Sequence, residues 1–559
     1  MRQDQEDPDQ RRSARVYAGA GRAGSGPVEG IRPVLYDAVL LDRDGTLIED
    51  VPYNGDPEKV RPVPGARAAL DRLRAAGLRL AVVTNQSGLA RGYFSAEQMR
   101  AVHARIEELL GRFDAWLVCP HDDADGCECR KPAPGLVHAA ARELGTRASR
   151  CVLVGDIGRD VAAALAAGAT GVLVPTPVTR PEEVAAAGWL ASDLPSAVDE
   201  ILRRQQAVRA VPGPVRERAG TALVVRSDSA GDVLVTGPAI RAVAAGAQRV
   251  VLLCGPRGRA AADLLPGVDE IIEHPLPWID PAPAPVEPDA MRTLIARLAA
   301  VGADEAVVFT SFHQSALPLA LLLRMAGIRR ISAISDDYPG SLLDVRHRVP
   351  VGVPEPERAL SLAAAAGHRL PVDDEPVLRL RPDALPPRPA DLGDPGYVVL
   401  HPGSAASSRA CPPELAARIA RSLTAAGHRV LVTGGPDERD VTARVAAAGG
   451  TDLGGRTDLP GLAAIVADAG AVVVGNTGPA HLAAAAGVPV VSLFAPTVPF
   501  GQWGPYRVPT VRLGNADAPC RDTRAASCPV PAHPCLSGID PAEVVDALRV
   551  LTVSGGGGR

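Results

Sequence analysis

Aromatic residues make up only 3% of this 559-residue chain. Its 59 basic residues do not outnumber its 64 acidic ones, for a net charge of −5. No basic footprint for nucleic acid or an anionic membrane surface is present. Long apolar runs are missing too. The stretch 317–323 is stopped by Arg324, far short of the roughly 18 residues that a spanning helix needs. The start of the chain (1–35) is polar, glycine-rich and has no apolar h-region. It reads as a disordered tail rather than a signal or transit peptide. The nine cysteines are not spread as a disulfide framework, and three fall in one short cluster. A reducing, cytoplasmic setting with a metal site is expected. The length calls for several domains.

What is present begins with Val39-Leu40-Leu41-Asp42-Arg43-Asp44-Gly45-Thr46. The continuous apolar run predicts a buried parallel strand over Ala38–Leu41. Side chains alternate along an extended chain, so Asp42 and Asp44 project to one side. Two carboxylates so close need a cation between them or a retained proton. That pattern suits Asp42 as a metal-bound nucleophile and Asp44 as a proton donor and acceptor.

A helix over 65–76 and a strand over 78–83 lead into Thr84-Asn85-Gln86-Ser87-Gly88. Thr84 and Asn85 would meet a phosphoryl oxygen there. A helix over 95–110 and a strand over Ala115–Cys119 then open Cys119-Pro120-His121…Cys127-Glu128-Cys129. Cys119, His121, Cys127 and Cys129, packed into eleven residues, match the ligand set of a closed structural zinc site. Arg130 and Lys131 follow directly, Lys131 to neutralise nucleophile and phosphate, Arg130 to hold a further oxygen. A strand over 151–154 delivers Asp156, a Mg²⁺ carboxylate, with Asp160 in support.

These motifs, in this order, resemble the haloacid dehalogenase-like phosphatases. Their combination, with the Cys/His loop and Arg130-Lys131-Pro132, resembles the D-glycero-D-manno-heptose 1,7-bisphosphate 7-phosphatases. The histidinol-phosphate phosphatases share the same pattern. The resemblance implies a Rossmann-like α/β domain over 36–205 and Mg²⁺ between Asp42, the Asp44 carbonyl and Asp156. It further implies attack by Asp42 on phosphorus, with Asp44 protonating the leaving sugar oxygen of a sugar phosphate.

The stretch 206–220 is polar and proline-bearing and reads as a linker. Strand and helix patterns then alternate twice, over 221–390 and over 391–559, as in doubly wound sheets. Gly231-Asp232 falls between a strand and a helix, and so does Gly475-Asn476-Thr477-Gly478-Pro479-Ala480-His481. The second offers glycines, a hydroxyl and free N–H groups as a diphosphate seat. With Arg226, His401-Pro402-Gly403-Ser404 and Thr433-Gly434-Gly435-Pro436, these stretches resemble the family 9 glycosyltransferases, the heptosyltransferases. That resemblance implies a GT-B fold of an acceptor domain and a donor domain. It implies inverting transfer from an ADP-heptose-type sugar without a metal, to a glycan or glycolipid acceptor that the sequence does not specify. Asp232 would be the general base. Arg409, Asn476, Thr477, Gly478 and His481 would take the diphosphate, and Glu438 would help bind the nucleotide. Ala230, Cys411 and Asn476 depart from residues frequent in that family. Cys520, Cys528 and Cys535, with His533 nearby, leave a second metal site and plain thiols both open. The favoured reading is a bifunctional phosphatase and heptosyltransferase. Its alternative is a histidinol-phosphate or other sugar-phosphate phosphatase carrying a sugar-nucleotide-binding module without catalysis.

Overall fold

A computed structural model describes residues 16–17, 35–209, 219–350, 352–371 and 373–553. Apart from Val16–Tyr17 and Leu35, the tail expected to be disordered lies outside these residues, as does most of the expected linker. Two compact units are resolved, 36–202 and 203–552.

In the first unit a six-stranded sheet runs Val16–Tyr17, Ala115–Cys119, Arg79–Asn85, Ala38–Leu41, Cys151–Gly155, Thr170–Leu173. All neighbours are parallel except Val16–Tyr17, which pairs antiparallel at the edge, where the sequence suggested no strand. Ala38–Leu41 is central and wholly buried, which is why its residues are continuously apolar. Leu41 sits opposite Val82 on one side and Val154 on the other. The ladder extends one step, Asp42 N donating to Val154 O at 2.9 Å. Strand order reverses between Ala38–Leu41 and Cys151–Gly155, so the residues leaving their carboxyl ends line a crevice. Arg79–Asn85 runs two residues past the expected end, pairing Thr84 with Val118 and Asn85 with Cys119. Helix Ala96–Leu110 is closed by a reciprocal Ser95/Gln98 cap.

The second unit holds two parallel six-stranded sheets. One runs Val345–His347, Arg330–Ile334, Glu305–Val308, Ala219–Val225, Ala247–Cys254, Glu270–Glu273. The other runs Thr451–Asp452, Val430–Val432, Val398–His401, Ala471–Gly475, Val490–Leu493, Thr510–Leu513. Numbered along the chain, each has the order 3-2-1-4-5-6 of doubly wound folds, with switch points after Ala219–Val225 and Val398–His401. Helices Ala230–Gly246, Glu355–Ala366, Leu459–Ala467 and Gly478–Ala485 contribute to one core shared by both sheets. The alanine-rich helix that the sequence suggests around Glu357–Ala366, inside the proline-rich stretch 344–395, is present as Glu355–Ala366. Among the described residues no helix is long and apolar enough to cross a membrane.

Candidate active sites

The first site grows from the switch point of the first sheet. Asp42 leaves Ala38–Leu41, Asp156 leaves Cys151–Gly155, and Asp160 lies one helical turn further on. Lys131 Nζ reaches both Asp42 Oδ1 and Asp160 Oδ1 at 2.5 Å and donates to Val83 O at 2.9 Å. Lys131 is 3% exposed and Asp160 0%, so this ion-pair cluster is dry. Asn85 fixes the lysine's backbone, accepting from Lys131 N and donating to Lys131 O, both at 3.1 Å. One carboxylate oxygen from each of Asp42, Asp156 and Asp160 lies within 4.8 Å of the others. Burial pushes Asp42 up to about 7, with Lys131 opposing and Asp160 and Asp44 adding to the rise. Burial, then Asp42 and Asp160, push Asp156 up to about 8. Three buried acids against one lysine leave a deficit of positive charge, which is what a divalent cation relieves. Gly45 is at φ +77°, and a Cβ there would collide with the Asp156 carboxylate. The turn therefore needs glycine on two counts.

Asp44 stands apart from that cluster. Its carboxylate accepts from Gln86 Nε2 (2.9 Å) and Arg43 Nε (3.0 Å) and pairs with Arg43 at 2.8 Å. Gln86 Nε2 also donates to Thr84 Oγ1 at 2.9 Å, tying the second motif to the first. Arg43 is 1% exposed, a role that sequence reasoning missed, because nothing about a lone arginine in a motif announces burial. Arg130, expected at the substrate, donates through Nε to Asp123 Oδ1 at 2.6 Å and through a terminal nitrogen to His121 O.

The Cys/His loop is assembled. The donor atoms of Cys119, His121, Cys127 and Cys129 lie 3.3 to 3.7 Å apart in their closest pairs. Bonds of about 2.0–2.3 Å to a tetrahedral zinc ion give edges of roughly this size. All nine cysteines are free thiols. Cys520, Cys528 and Cys535 are not among the donor groupings found in the described residues. His533 is spoken for, Nε2 lying 2.9 Å from Ser408 O.

In the second unit Asp232 lies in the first turn of Ala230–Gly246. It accepts from Ser229 Oγ (2.6 Å) and from Arg226 (2.9 Å), whose same nitrogen pairs with Asp228 at 3.0 Å. Ser311 Oγ donates to Asp228 at 2.7 Å. Burial opposes ionisation of Asp232, but Arg226 and Ser229 outweigh it and hold the carboxyl below its ordinary value. Asp228 and Ser311 were not foreseen, since their contacts span loops distant in sequence. Gly231 faces Gly478: a Cβ on Gly231 would lie 3.3 Å from Gly478 Cα and 3.2 Å from His481 Cδ2. The starts of two helices thus meet with nothing bulkier than glycine between them. His481 is buried, its Nδ1 lacks a hydrogen-bond partner, and burial pushes it down to about 4. Arg409 Nε is likewise unpartnered. Thr477 sits at the N-cap position of Gly478–Ala485. Asn476, expected at the diphosphate, instead exchanges two hydrogen bonds with the Ala495 backbone (3.1 and 3.2 Å). Glu438 Oε2 accepts from Gly435 N at 2.7 Å, and its carboxylate fills the space where Gly403 has no side chain.

Comparison with known proteins follows the same division. The D-glycero-beta-D-manno-heptose-1,7-bisphosphate 7-phosphatase of Pseudomonas putida is 41% identical over 143 residues, 25% of this chain and 82% of that protein. The first unit belongs to that phosphatase family. The Yersinia pestis member is 38% identical over 178 residues, covering 29% of this chain and 94% of its own. A HAD-hydrolase-like family model matches the phosphatase unit over 128–200. The glycosyltransferase family 9 (heptosyltransferase) model matches 291–533, within the second unit. The chain is therefore a phosphatase unit joined to a unit that resembles glycosyltransferase family 9. Among solved structures, E. coli ADP-heptose lps heptosyltransferase II aligns with 60% of this chain and 99% of its own, at 19% identity and a TM-score of 0.47.

Proposed function

We propose that the chain is bifunctional, a Mg²⁺-dependent phosphatase for the 7-phosphate of D-glycero-D-manno-heptose 1,7-bisphosphate and an inverting transferase using ADP-heptose. The observation that carries the phosphatase reading is the cluster of Asp42, Asp156 and Asp160 around Lys131 at the switch point. Asp42 and Asp156, with the Asp44 carbonyl, would hold Mg²⁺, which when bound offsets charge on the transferring phosphoryl group. Lys131 occupies Asp42 Oδ1, leaving Oδ2 to attack phosphorus. The phosphorus–sugar oxygen bond breaks as the new bond forms, and Asp44 gives that oxygen its proton. Water then attacks the aspartyl-phosphate, its proton returning to Asp44. Asp44 must rotate out of its pair with Arg43 to do this. Thr84 and Asn85 flank the phosphoryl group, and Arg130 serves the substrate from the Cys/His loop. We assign zinc to Cys119, His121, Cys127 and Cys129 as a brace for that loop.

In the family 9 unit, Asp232 takes the proton of an acceptor hydroxyl, and the freed oxygen attacks the anomeric carbon while ADP leaves. Thr477, the Gly478 N–H, His481 and Arg409 receive the diphosphate, Asn476 acts by fixing that turn, and Glu438 helps hold the nucleotide. We place the domain boundaries at 36–205, 221–390 and 391–559. The cytoplasm is the compartment that fits free thiols and this donor. The Asp42→Asn protein tests the phosphatase reading. It should release phosphate from the bisphosphate at least roughly a thousandfold more slowly than wild type, as expected for loss of a covalent nucleophile. Release at the wild-type rate overturns the assignment.

A further inference from the structure

The transferase reading leaves Arg524 without a task, although four hydrogen bonds and one ring contact tie its segment to elements around the proposed diphosphate seat. The turn Ser407–Arg409 is fastened to 525–526: Ser408 N donates to Ala526 O at 3.1 Å and Ser408 Oγ donates to Ala525 O. Arg409 and Arg524 are the next residues along these two joined segments. Arg524 N donates to Thr497 O, and Asp522 N to Pro496 O, both at 2.9 Å. Those acceptors follow Val490–Leu493, the neighbour of the strand that launches helix Gly478–Ala485. Both Asp522 (φ +57°) and Arg524 (φ +56°) occupy the left-handed region. Such a conformation costs free energy in a residue with a Cβ and persists only where the surroundings enforce it.

The Arg524 guanidinium lies 3.5 Å from the ring centroid of Phe312, a 39% exposed side chain on the loop after Glu305–Val308. Phe312 adjoins Ser311, a member of the Asp228–Arg226–Asp232 network. The contact thus bridges the two halves of the family 9 unit. Among the described residues no ion pair engages Arg524, whereas His481 Nδ1 and Arg409 Nε stand unpartnered nearby in the fold. An exposed cation–π contact is weak beside an arginine–phosphate contact, so Arg524 can exchange one for the other at little cost.

We propose that Arg524 is a second phosphate-holding cation of the donor seat, parked on Phe312 until a nucleoside diphosphate arrives and then reaching its terminal phosphate. This rests on the transferase reading above. The test is calorimetric titration of the full-length protein with ADP and with AMP. Arg524→Gln should weaken ADP binding about tenfold or more, as for loss of a charge-assisted bond, and leave AMP nearly unchanged. Arg524→Lys should recover part of the loss. Equal weakening of ADP and AMP, or no weakening, overturns the inference. Phe312→Ala weakening ADP as much as Arg524→Gln does would also overturn it, since Arg524 would then act only as a clasp. Wild-type protein that fails to bind ADP overturns the transferase reading, and this inference with it.

Discussion

Lys131 touches both Asp42 and Asp160 inside a dry site, so Lys131→Met leaves two buried carboxylates without their cation. Breaking a buried pair from one side costs about 3–5 kcal/mol. Urea unfolding of the metal-free variant should show a loss of that size, partly restored by Mg²⁺. His103 supplies a pH dependence. It stacks on Trp116 (centroids 4.0 Å apart), and burial, then Arg43, push it from 6.5 down to about 3. The unfolded chain thus binds the proton more tightly than the folded one. The stabilising contribution is complete above 6.5, falls as pH drops below that value and is gone below about 3. His103→Phe should keep the stack and flatten unfolding stability between pH 7.5 and about 5 relative to wild type. An unchanged pH slope would show that the imidazole is not responsible. The strand that delivers Asp42 was legible as an apolar run, but the spacing misled on Asp44, whose carboxylate turns to Arg43 and Gln86 rather than joining Asp42, Asp156 and Asp160. The burial of Arg43 and Arg226 was not legible, because their charged partners are close in sequence and a local ion pair looks the same whether it lies on the surface or inside.

Most strands were legible because parallel strands buried on both faces are continuous apolar runs, as in Ala38–Leu41 and Cys151–Gly155. Ends were less so. Helix Leu194–Arg209 runs four residues into the expected linker at 206–220, and Arg79–Asn85 two beyond the expected 83, since a polar residue ends an apolar pattern without ending an element. Helix Ala230–Gly246 is buried from Val233 to Val243, so it carries no amphipathic signature. Ile240→Ala within it should cost the family 9 unit about 2–5 kcal/mol, measured by denaturant unfolding followed through ADP binding. A loss under about 1 kcal/mol would mean that the helix is not held between the two sheets. For the Cys/His loop, elemental analysis should find one zinc per chain. Chelation should lower the phosphatase melting temperature and leave ADP affinity alone. Full metal stripping with no change in melting would remove the loop's bracing role.

At the scale of the whole molecule, the two units carry separate cores and separate switch-point sites. A 7-phosphatase acts on a precursor of the donor that a heptosyltransferase consumes, so the fusion joins two steps of one chemistry without requiring that the sites meet. Asp42→Asn protein should therefore bind ADP with wild-type affinity; a tenfold change would mean that the units are energetically coupled. All of the phosphatase account turns on which carboxylate accepts the phosphoryl group. The decisive measurement is a crystal structure of the protein trapped with beryllium fluoride and Mg²⁺. An adduct on Asp42 Oδ2, with Lys131 still on Oδ1, is the predicted result. An adduct on Asp44 or Asp156, or an Asp42 side chain turned away from the ion, would contradict it.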